Sequence, residues 1–262
     1  MRENTLKSAW LRGENTVGVW ISGTDPLVAR KLANSGADYV CIDMQHGTAD
    51  YPQVLALLMA MEGGSAVPIV RVPWNEPGII GRVLDAGAMG VIIPMVNTVA
   101  EAVAAVAACN YPPLGARSNG PIVAADALGP DYGAEANEHI VCIPMIETVE
   151  ALDAVEDIAD VPGIDAFYVG PSDMSRSLGI PPNLEQMDPR FLDASKRIIE
   201  AARAKGIAPG VHSTPAMSAD RLDFGFQMVT VTSDVQAAQL FVTSSVDAVK
   251  AGRSGEGSIS GY

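Results

Sequence analysis

Two short apolar runs that each end in a carboxylate organise the sequence, Cys142-Ile-Pro-Met-Ile-Glu-Thr148 and Tyr168-Val-Gly-Pro-Ser-Asp173. A helical pattern begins soon after each carboxylate. If the runs are neighbouring parallel strands, Glu147 and Asp173 meet at the carboxyl-terminal edge of one sheet. Two convergent carboxylates indicate a site for an octahedral divalent cation, because hard cations prefer oxygen ligands. The simpler interpretation is that both residues are polar ends of buried strands.

The same alternation of apolar runs and helical patterns extends along the chain. The predicted strands are 17–21, 39–43, 68–72, 90–95, 140–146, 166–169, 208–212 and 226–232. The predicted helices are 26–34, 51–62, 77–85, 99–108, 149–158, 190–205, 215–223 and 235–250. Such alternation is typical of parallel βαβ units, and eight units in about 250 residues predict an α/β fold, the (β/α)₈ barrel. A doubly wound open sheet is the alternative, but no G-x-G-x-x-G follows the first strand.

The remaining segments fit one domain over residues 1–262. Residues 1–14 predict a short capping helix, and the Gly/Ser-rich residues 252–262 predict a loose tail. The longest interruption, 111–139, is expected to be functional or to contain its own helix. Because it comes after the fourth strand, we expect it over the catalytic face of a barrel.

Composition excludes several classes of partner. The formal charge of −14 argues against nucleic acid and anionic membranes. No apolar run approaches the ~18 residues of a membrane span, and no secretory signal opens the chain. Cys41, Cys109 and Cys142 lack metal-ligand spacing, which predicts reduced thiols in a cytoplasmic protein.

The ends of the predicted strands carry further polar and aromatic residues, where a barrel holds its chemistry. These residues are Trp20, His46, Arg71 and His212, while Asp85 closes the third helix. An Arg after Val-Pro-Ile-Val is buried and needs an anionic partner, for which a ligand carboxylate or enolate is suitable. His212 has the plainer interpretation of a hydrogen-bonded strand terminus.

No lysine stands at a strand end. All five lie in predicted helices or in the amino-terminal segment: Lys7, Lys31, Lys196, Lys205 and Lys250. Carbonyl chemistry in this barrel therefore needs a metal or a cofactor rather than an imine.

Motifs from about residue 15 to residue 250 give the chain a resemblance to the HpcH/HpaI family of metal-dependent pyruvate aldolases. They are G-V-W (18–20), I-D-M-Q-H-G (42–47), V-R-V-P-W-N (70–75), L-D-A-G (84–87), I-P-M-V (93–96), Y-P-P-L-G-A-R (111–117), I-E-T (146–148) and G-P-S-D-M-S (170–175).

The resemblance implies a carbon–carbon lyase that reversibly cleaves a 4-hydroxy-2-oxo acid to an aldehyde and pyruvate, or a close relative such as hydroxypyruvate, through a metal-bound enolate. It implies that Glu147 and Asp173 bind Mg²⁺, Mn²⁺ or Co²⁺. Arg71 is expected to stabilise the enolate, and His46, made more basic by Asp85, to handle protons. The residues expected to contact substrate are Trp20, Met145, Gly170, Pro171, Ser172, Asp173 and His212.

The resemblance also implies a homo-hexamer, a trimer of dimers, with the last helix exchanged between subunits and active sites near the dimer interface. The chain departs from the family pattern at three positions. Gln45 stands where family members often have Glu, Met145 where they often have Gln, and His212 where an apolar residue is common. None of these changes removes a metal ligand, but they leave the substrate open.

Two other functions compete with the aldolase. An acyl-CoA lyase of the malyl- or citryl-CoA type would need a positive surface for nucleotide phosphates, and basic residues are sparse near the predicted site. A barrel that has lost catalysis and serves as a binding module is the alternative of another class. The presence of Glu147, Asp173, His46 and Arg71 argues against it.

Overall fold

Eight parallel strands form one sheet in the order β5-β4-β3-β2-β1-β8-β7-β6, which curls into a nearly closed barrel. The structure, a computed structural model, describes residues 1–252. The strands are β1 Thr16–Ile21, β2 Tyr39–Asp43, β3 Val67–Arg71, β4 Gly90–Ile93, β5 Val141–Pro144, β6 Ala166–Val169, β7 Ala208–His212 and β8 Met228–Ser233. Strands β5 and β6 meet through a bridge between Met145 and Tyr168. The predicted (β/α)₈ barrel is confirmed.

Helices connect the strands and cover the outside of the barrel. They are α1 Thr5–Leu11, α2 Pro26–Leu32, α3 Tyr51–Ala60, α4 Pro77–Asp85, α5 Val99–Cys109, α6 Ile122–Leu128, α7 Tyr132–His139, α8 Val149–Asp153, α9 Val155–Ala159, α10 Pro171–Ser177, α11 Pro189–Ala204, α12 Ser218–Phe224 and α13 Asp234–Lys250. The helix predicted over 149–158 is two short helices, because the backbone at Ala154 (φ −101°, ψ 7°) interrupts it.

The strands are buried on both faces, as the continuous apolar runs predict. Aromatic rings fill part of the barrel interior. The ring of Tyr39 lies over Gly18, where an added Cβ would stand 2.2 Å from ring carbon Cζ. Glycine at position 18 therefore makes room for a tyrosine hydroxyl inside the barrel.

The amino-terminal end of the barrel is closed by α1, as predicted. Asn4 caps α1 by accepting hydrogen bonds from the amides of Leu6 and Lys7. The Asn4 side-chain amide also donates to the carbonyl oxygens of Met89 (3.0 Å) and His139 (2.7 Å). These contacts join α1 to the loops that enter β4 and β5.

Residues 111–139 contain α6 and α7, so the expectation of local helix is confirmed. Their expected place over the catalytic face is wrong. The chain first returns along α5 to the amino-terminal end of the barrel, and only then enters this segment. There the Arg2 amide donates to the Leu128 carbonyl over 2.7 Å.

Helix α13 has no buried residue. In the part of the chain that the structure describes, no helix is long and apolar enough to cross a membrane. The tail predicted over 252–262 lies, apart from Gly252, outside the described residues.

Candidate active site

A cavity of about 150 Å³ opens at the carboxyl-terminal end of the barrel. Nine of the predicted site residues line it: Trp20, His46, Arg71, Met145, Gly170, Pro171, Ser172, Asp173 and His212. Larger surface cavities of about 270 and 540 Å³ lie around Arg2 and Arg117. Those two lie away from the carboxyl-terminal ends of the strands, so the smaller cavity is the candidate active site.

Glu147 follows β5 and is buried beside this cavity, with a residue exposure of 2%. Its Oε1 accepts a hydrogen bond from the amide of Met95 over 2.9 Å. Its Oε2 has no partner among residues 1–252, although that atom is buried. Burial, reinforced by the charge of Asp173, raises the pKa of Glu147 to about 7. A half-satisfied carboxylate is costly in isolation, so its second oxygen is suited to a cation.

The backbone at Met95 helps to orient Glu147. Met95 has a φ of 55°, in the left-handed region that residues other than glycine rarely adopt. Such outliers concentrate at functional sites. Here the consequence is an amide that donates to the Glu147 carboxylate.

Asp173 lies in the first turn of α10, one strand away from Glu147. Gly170 precedes this helix, and a Cβ there would stand 2.6 Å from Oε2 of Glu147. Any side chain at position 170 would displace the carboxylate. The glycine of the G-P-S-D motif thus lets the acids after β5 and β6 approach each other.

Arg71, at the end of β3, is buried and forms a two-point ion pair with Asp43. Its Nε donates to Oδ1 of Asp43 over 2.9 Å, and its Nη2 donates to Oδ2 over 2.7 Å. Burial alone would raise the pKa of Asp43, but the hydrogen bonds and charge of Arg71 hold it below its usual value. The expected anionic partner of Arg71 is therefore present in the protein, and Arg71 reaches the cavity with its remaining surface.

His46 is exposed at the cavity, in the turn after β2. The same Asp43 carboxylate shapes this turn, since Oδ1 accepts from the amides of Gln45 (3.0 Å) and His46 (3.2 Å). Asp43 therefore holds both the guanidinium of Arg71 and the backbone that carries the histidine.

The structure does not bring Asp85 to His46 within one chain. Asp85 ends α4 and so lies at the amino-terminal end of the barrel, opposite the cavity. Its Oδ1 accepts a 2.6 Å hydrogen bond from Nη2 of Arg117. Because a helix after a strand runs back along the barrel, its last residue lies far from the carboxyl ends of the strands. The prediction that Asp85 contacts His46 did not take into account the direction in which α4 runs.

The wall formed by β1, β6 and β7 is aromatic. The rings of Trp20 and His212 meet edge to face with centroids 4.8 Å apart, and Trp20 stacks on Tyr168 at 5.7 Å. The guanidinium carbon of Arg71 lies 4.5 Å from the Trp20 ring centroid. Burial, together with the charge of Arg71, lowers the pKa of His212 to about 4, so its imidazole is neutral near pH 7.

Sequence reasoning did not predict the roles that four residues have in the site. Tyr168 and Leu184 line the cavity, Asp43 holds Arg71, and Met95 holds Glu147. The position of Asp43 could have been used, because an Asp at the end of a strand and before a turn often accepts hydrogen bonds from the amides that follow it. The sequence gives no sign of the left-handed backbone at Met95, because the residue there is not a glycine.

Fold and cavity together define a barrel enzyme with an acidic pair, a guanidinium and a histidine at the carboxyl ends of its strands. The chain belongs to the HpcH/HpaI aldolase/citrate lyase family, whose model matches residues 16–239. It is thus a carbon–carbon lyase.

The chain is similar to two named aldolases and to one solved structure in particular. It is 38% identical to the hydroxypyruvate/pyruvate aldolase of Rhizorhabdus wittichii, over 88% of this chain and 93% of the relative. It is 36% identical to the 5-keto-4-deoxy-D-glucarate aldolase of an Enterobacter species, over 88% and 91%. A crystal structure of a family member from Burkholderia cenocepacia superposes with a TM-score of 0.88 at 31% identity, covering 94% of this chain and 99% of that one.

Proposed function

We propose that this protein is a divalent-metal-dependent aldolase that reversibly cleaves a 4-hydroxy-2-oxo acid to an aldehyde and pyruvate or hydroxypyruvate. The observation that carries the proposal is the buried Oε2 of Glu147, which lacks a protein partner in the described chain and lies next to Asp173. The named activities of the two aldolases reported above support the same reaction.

The residues present fit a metal such as Mg²⁺, Mn²⁺ or Co²⁺. Within residues 1–252 no group of three or more His, Cys, Asp or Glu is placed to hold an ion, so the proposed site has two protein carboxylates, Glu147 and Asp173. Mg²⁺ is commonly bound through one or two carboxylates, with the other positions left to water and substrate. When bound, the metal supplies Lewis-acid polarisation of a keto oxygen.

Arg71 is proposed to stabilise the negative charge that develops on the 2-oxo acid. Its ion pair with Asp43 fixes the plane of the guanidinium, so little reorganisation is needed during the reaction. The amides of Ser172 and Asp173, in the first turn of α10, have no helical carbonyl to bind and are proposed to hold the substrate carboxylate.

His46 is proposed to move the proton of the 4-hydroxyl group, directly or through water. Its position at the cavity suits this role, because an imidazole can both accept and donate a proton. Asp43 orients its turn. A role of Asp85 toward His46 would require Asp85 from a second copy of the chain.

The experiment is a retro-aldol screen of 4-hydroxy-2-oxo acids, followed by release of pyruvate or hydroxypyruvate. We expect turnover that EDTA abolishes and that added Mg²⁺, Mn²⁺ or Co²⁺ restores. Turnover that survives thorough chelation, or release from malyl-CoA alone, would contradict the proposal. Arg71 is the one Arg or Lys that lines the cavity in the described chain, so no cluster of positive charge favours a CoA thioester.

We also propose a cytoplasmic homo-oligomer, a hexamer as the resemblance implies. Exposed apolar side chains along α13 support an assembly in which this helix is covered: Val235, Leu240, Phe241, Val242, Val246 and Val249. The three buried thiols, which form no disulfide, suit a reducing compartment. Light scattering after size exclusion measures the assembly, and a monomer at micromolar concentration would refute it.

A further inference from the structure

Three hydroxyl groups form a line through the barrel interior that ends on His212. The hydroxyl of Tyr39 lies 2.9 Å from Oγ1 of Thr230, and Oγ1 lies 2.5 Å from the hydroxyl of Tyr168. The Tyr168 hydroxyl lies 3.3 Å from Nδ1 of His212. The line thus joins β2, β8 and β6 to the last residue of β7.

The line is sealed from solvent, because Tyr39, Thr230 and Tyr168 each have an exposure of 0%. Each of the three hydrogen bonds in the line uses one proton, and the three hydroxyl groups supply one proton each. If His212 also donated from Nδ1, four protons would serve three contacts, and one hydroxyl proton would be buried without an acceptor. Leaving a buried donor unsatisfied is costly. The favoured direction therefore runs from Tyr39 through Thr230 and Tyr168 to Nδ1, which accepts.

A neutral imidazole that accepts at Nδ1 carries its proton at Nε2. His212 is neutral near pH 7, since its pKa lies near 4. Nε2 makes no hydrogen bond to any of residues 1–252 and is not closed off from the cavity that His212 lines. The ring is held in place by its edge contact with Trp20.

We propose that His212 is a specificity-determining residue whose Nε2–H donates a hydrogen bond to an oxygen substituent of the substrate. The proposal rests on the proposed aldolase function. The oxygen could come from either of two sources, the C3 hydroxyl of hydroxypyruvate or the 2-hydroxyl of a hydroxyaldehyde. A methyl or methylene group in the same place cannot accept this hydrogen bond, so oxygenated substrates are selected over their deoxy analogues.

The tautomer can be measured on the full-length protein without any substrate. The chain has three histidines, so a ¹⁵N-histidine-labelled sample gives few imidazole signals, and the signals lost in His212→Phe belong to His212. At pH 7 we expect an unprotonated Nδ1 and a protonated Nε2. In Tyr168→Phe, which removes the donor to Nδ1, we expect the second tautomer to appear. A proton on Nδ1 in the wild-type protein would overturn the proposal.

The kinetic test compares matched substrate pairs in the metal-loaded enzyme. One arm measures kcat/KM for glycolaldehyde against propanal with pyruvate as the nucleophile. The other arm measures hydroxypyruvate against pyruvate with one fixed aldehyde. We expect His212→Phe to lower the preference for the oxygenated partner about 3- to 10-fold in one arm, the effect of one neutral hydrogen bond. The affected arm identifies the source of the oxygen.

Two amide variants separate a donor effect from a packing effect. In His212→Gln the amide nitrogen can take the place of Nε2, so most of the preference should return. In His212→Asn the shorter side chain cannot reach that place, and the preference should stay low. Unchanged preferences in both arms of an active His212→Phe enzyme would overturn this proposal and leave the aldolase function standing. Absence of metal-dependent turnover in the wild-type enzyme would instead contradict the aldolase function.

Discussion

The two walls of the active-site cavity differ in how their polar side chains are hydrogen-bonded and charged. On the wall formed after β5 and β6, Glu147 is buried with one oxygen unpartnered in the described chain, and the nearby Asp173 adds like charge. On the wall formed by β1 and β7, His212 is a half-buried neutral ring, and a buried line of hydroxyls satisfies its Nδ1.

The difference indicates which wall is suited to an ion. Glu147 is buried and Asp173 is half-buried, so the cation proposed for this wall would offset negative charge that the protein leaves unneutralised there. The aromatic wall carries no net charge and keeps one N–H free for an oxygen acceptor. Arg71 stands between them, stacked on Trp20 and paired with Asp43.

The largest effect is expected for Glu147 and Asp173, on the wall formed after β5 and β6. Glu147→Gln and Asp173→Asn should each abolish metal-dependent turnover, because each removes a charged ligand while nearly preserving shape. Calorimetric titration with Mn²⁺ should show weakened binding, and circular dichroism should show an intact fold. Wild-type Mn²⁺ affinity in either variant would show that the residue is only a polar strand end.

His46→Ala is expected to lower kcat by about 10²–10⁴-fold, the usual range for a general acid–base group. Steady-state kinetics with saturating metal measure the loss, and an unchanged kcat would remove His46 from the proposed mechanism.

Asp43→Asn and Asp85→Asn form a matched pair, since both neutralise a carboxylate that pairs with an arginine. Asp43→Asn should lower kcat more than Asp85→Asn, because within one chain only Asp43 holds Arg71 and the turn that carries His46. Equal losses in the two variants would contradict the role given to Asp43.

Arg71→Lys is expected to lower kcat by about 10²–10³-fold with a smaller change in KM, as for the loss of a donor that acts on a developing oxyanion. An ammonium cannot make two parallel hydrogen bonds to Asp43 and still face the cavity. Steady-state kinetics with saturating metal provide the measurement. An unchanged kcat would show that Arg71 has only a structural role, through its ion pair with Asp43.

The smallest expected effect is on the stability of the metal-free protein. The contributions of Glu147 and His212 to the free energy of unfolding should change with pH in opposite directions. The pKa of Glu147 is raised to about 7, so its contribution to stability is present below pH ~4.5 and is lost as pH rises through 7. The pKa of His212 is lowered to about 4, so its contribution is present above pH ~6.5 and is lost as pH falls through 4. Each effect amounts to roughly 3 kcal/mol at most.

Urea unfolding in EDTA at pH 5, 6.5 and 8 tests both signs. Relative to wild type, Glu147→Gln should gain stability as pH rises from 5 to 8. His212→Gln should gain stability relative to wild type as pH falls from 6.5 to 5. The same pH trend in both variants would mean that the two walls do not differ in the way described.

Much of the barrel was readable from the sequence because its determinants are local. Apolar runs alternating with helical patterns specify buried parallel strands and covering helices. Of the eight predicted strands, those over 39–43, 166–169 and 208–212 match the structure at both ends. The side chains at strand ends converge for a topological reason, since all parallel strands finish at one edge of the barrel. This reason alone gathers Trp20, Arg71, Asp173 and His212 around one cavity.

Tertiary structure decided the interactions that join residues far apart in sequence. The pairing of Arg71 with Asp43 depends on the register between β2 and β3, and Asp85 is separated from His46 by the return direction of α4. The hydroxyl line from Tyr39 to His212 needs four strands and the space above Gly18. Residue types and strand ends are set by local pattern, whereas proton positions, ion pairs and the unpartnered oxygen of Glu147 follow from packing, because burial removes the water that would otherwise satisfy each group.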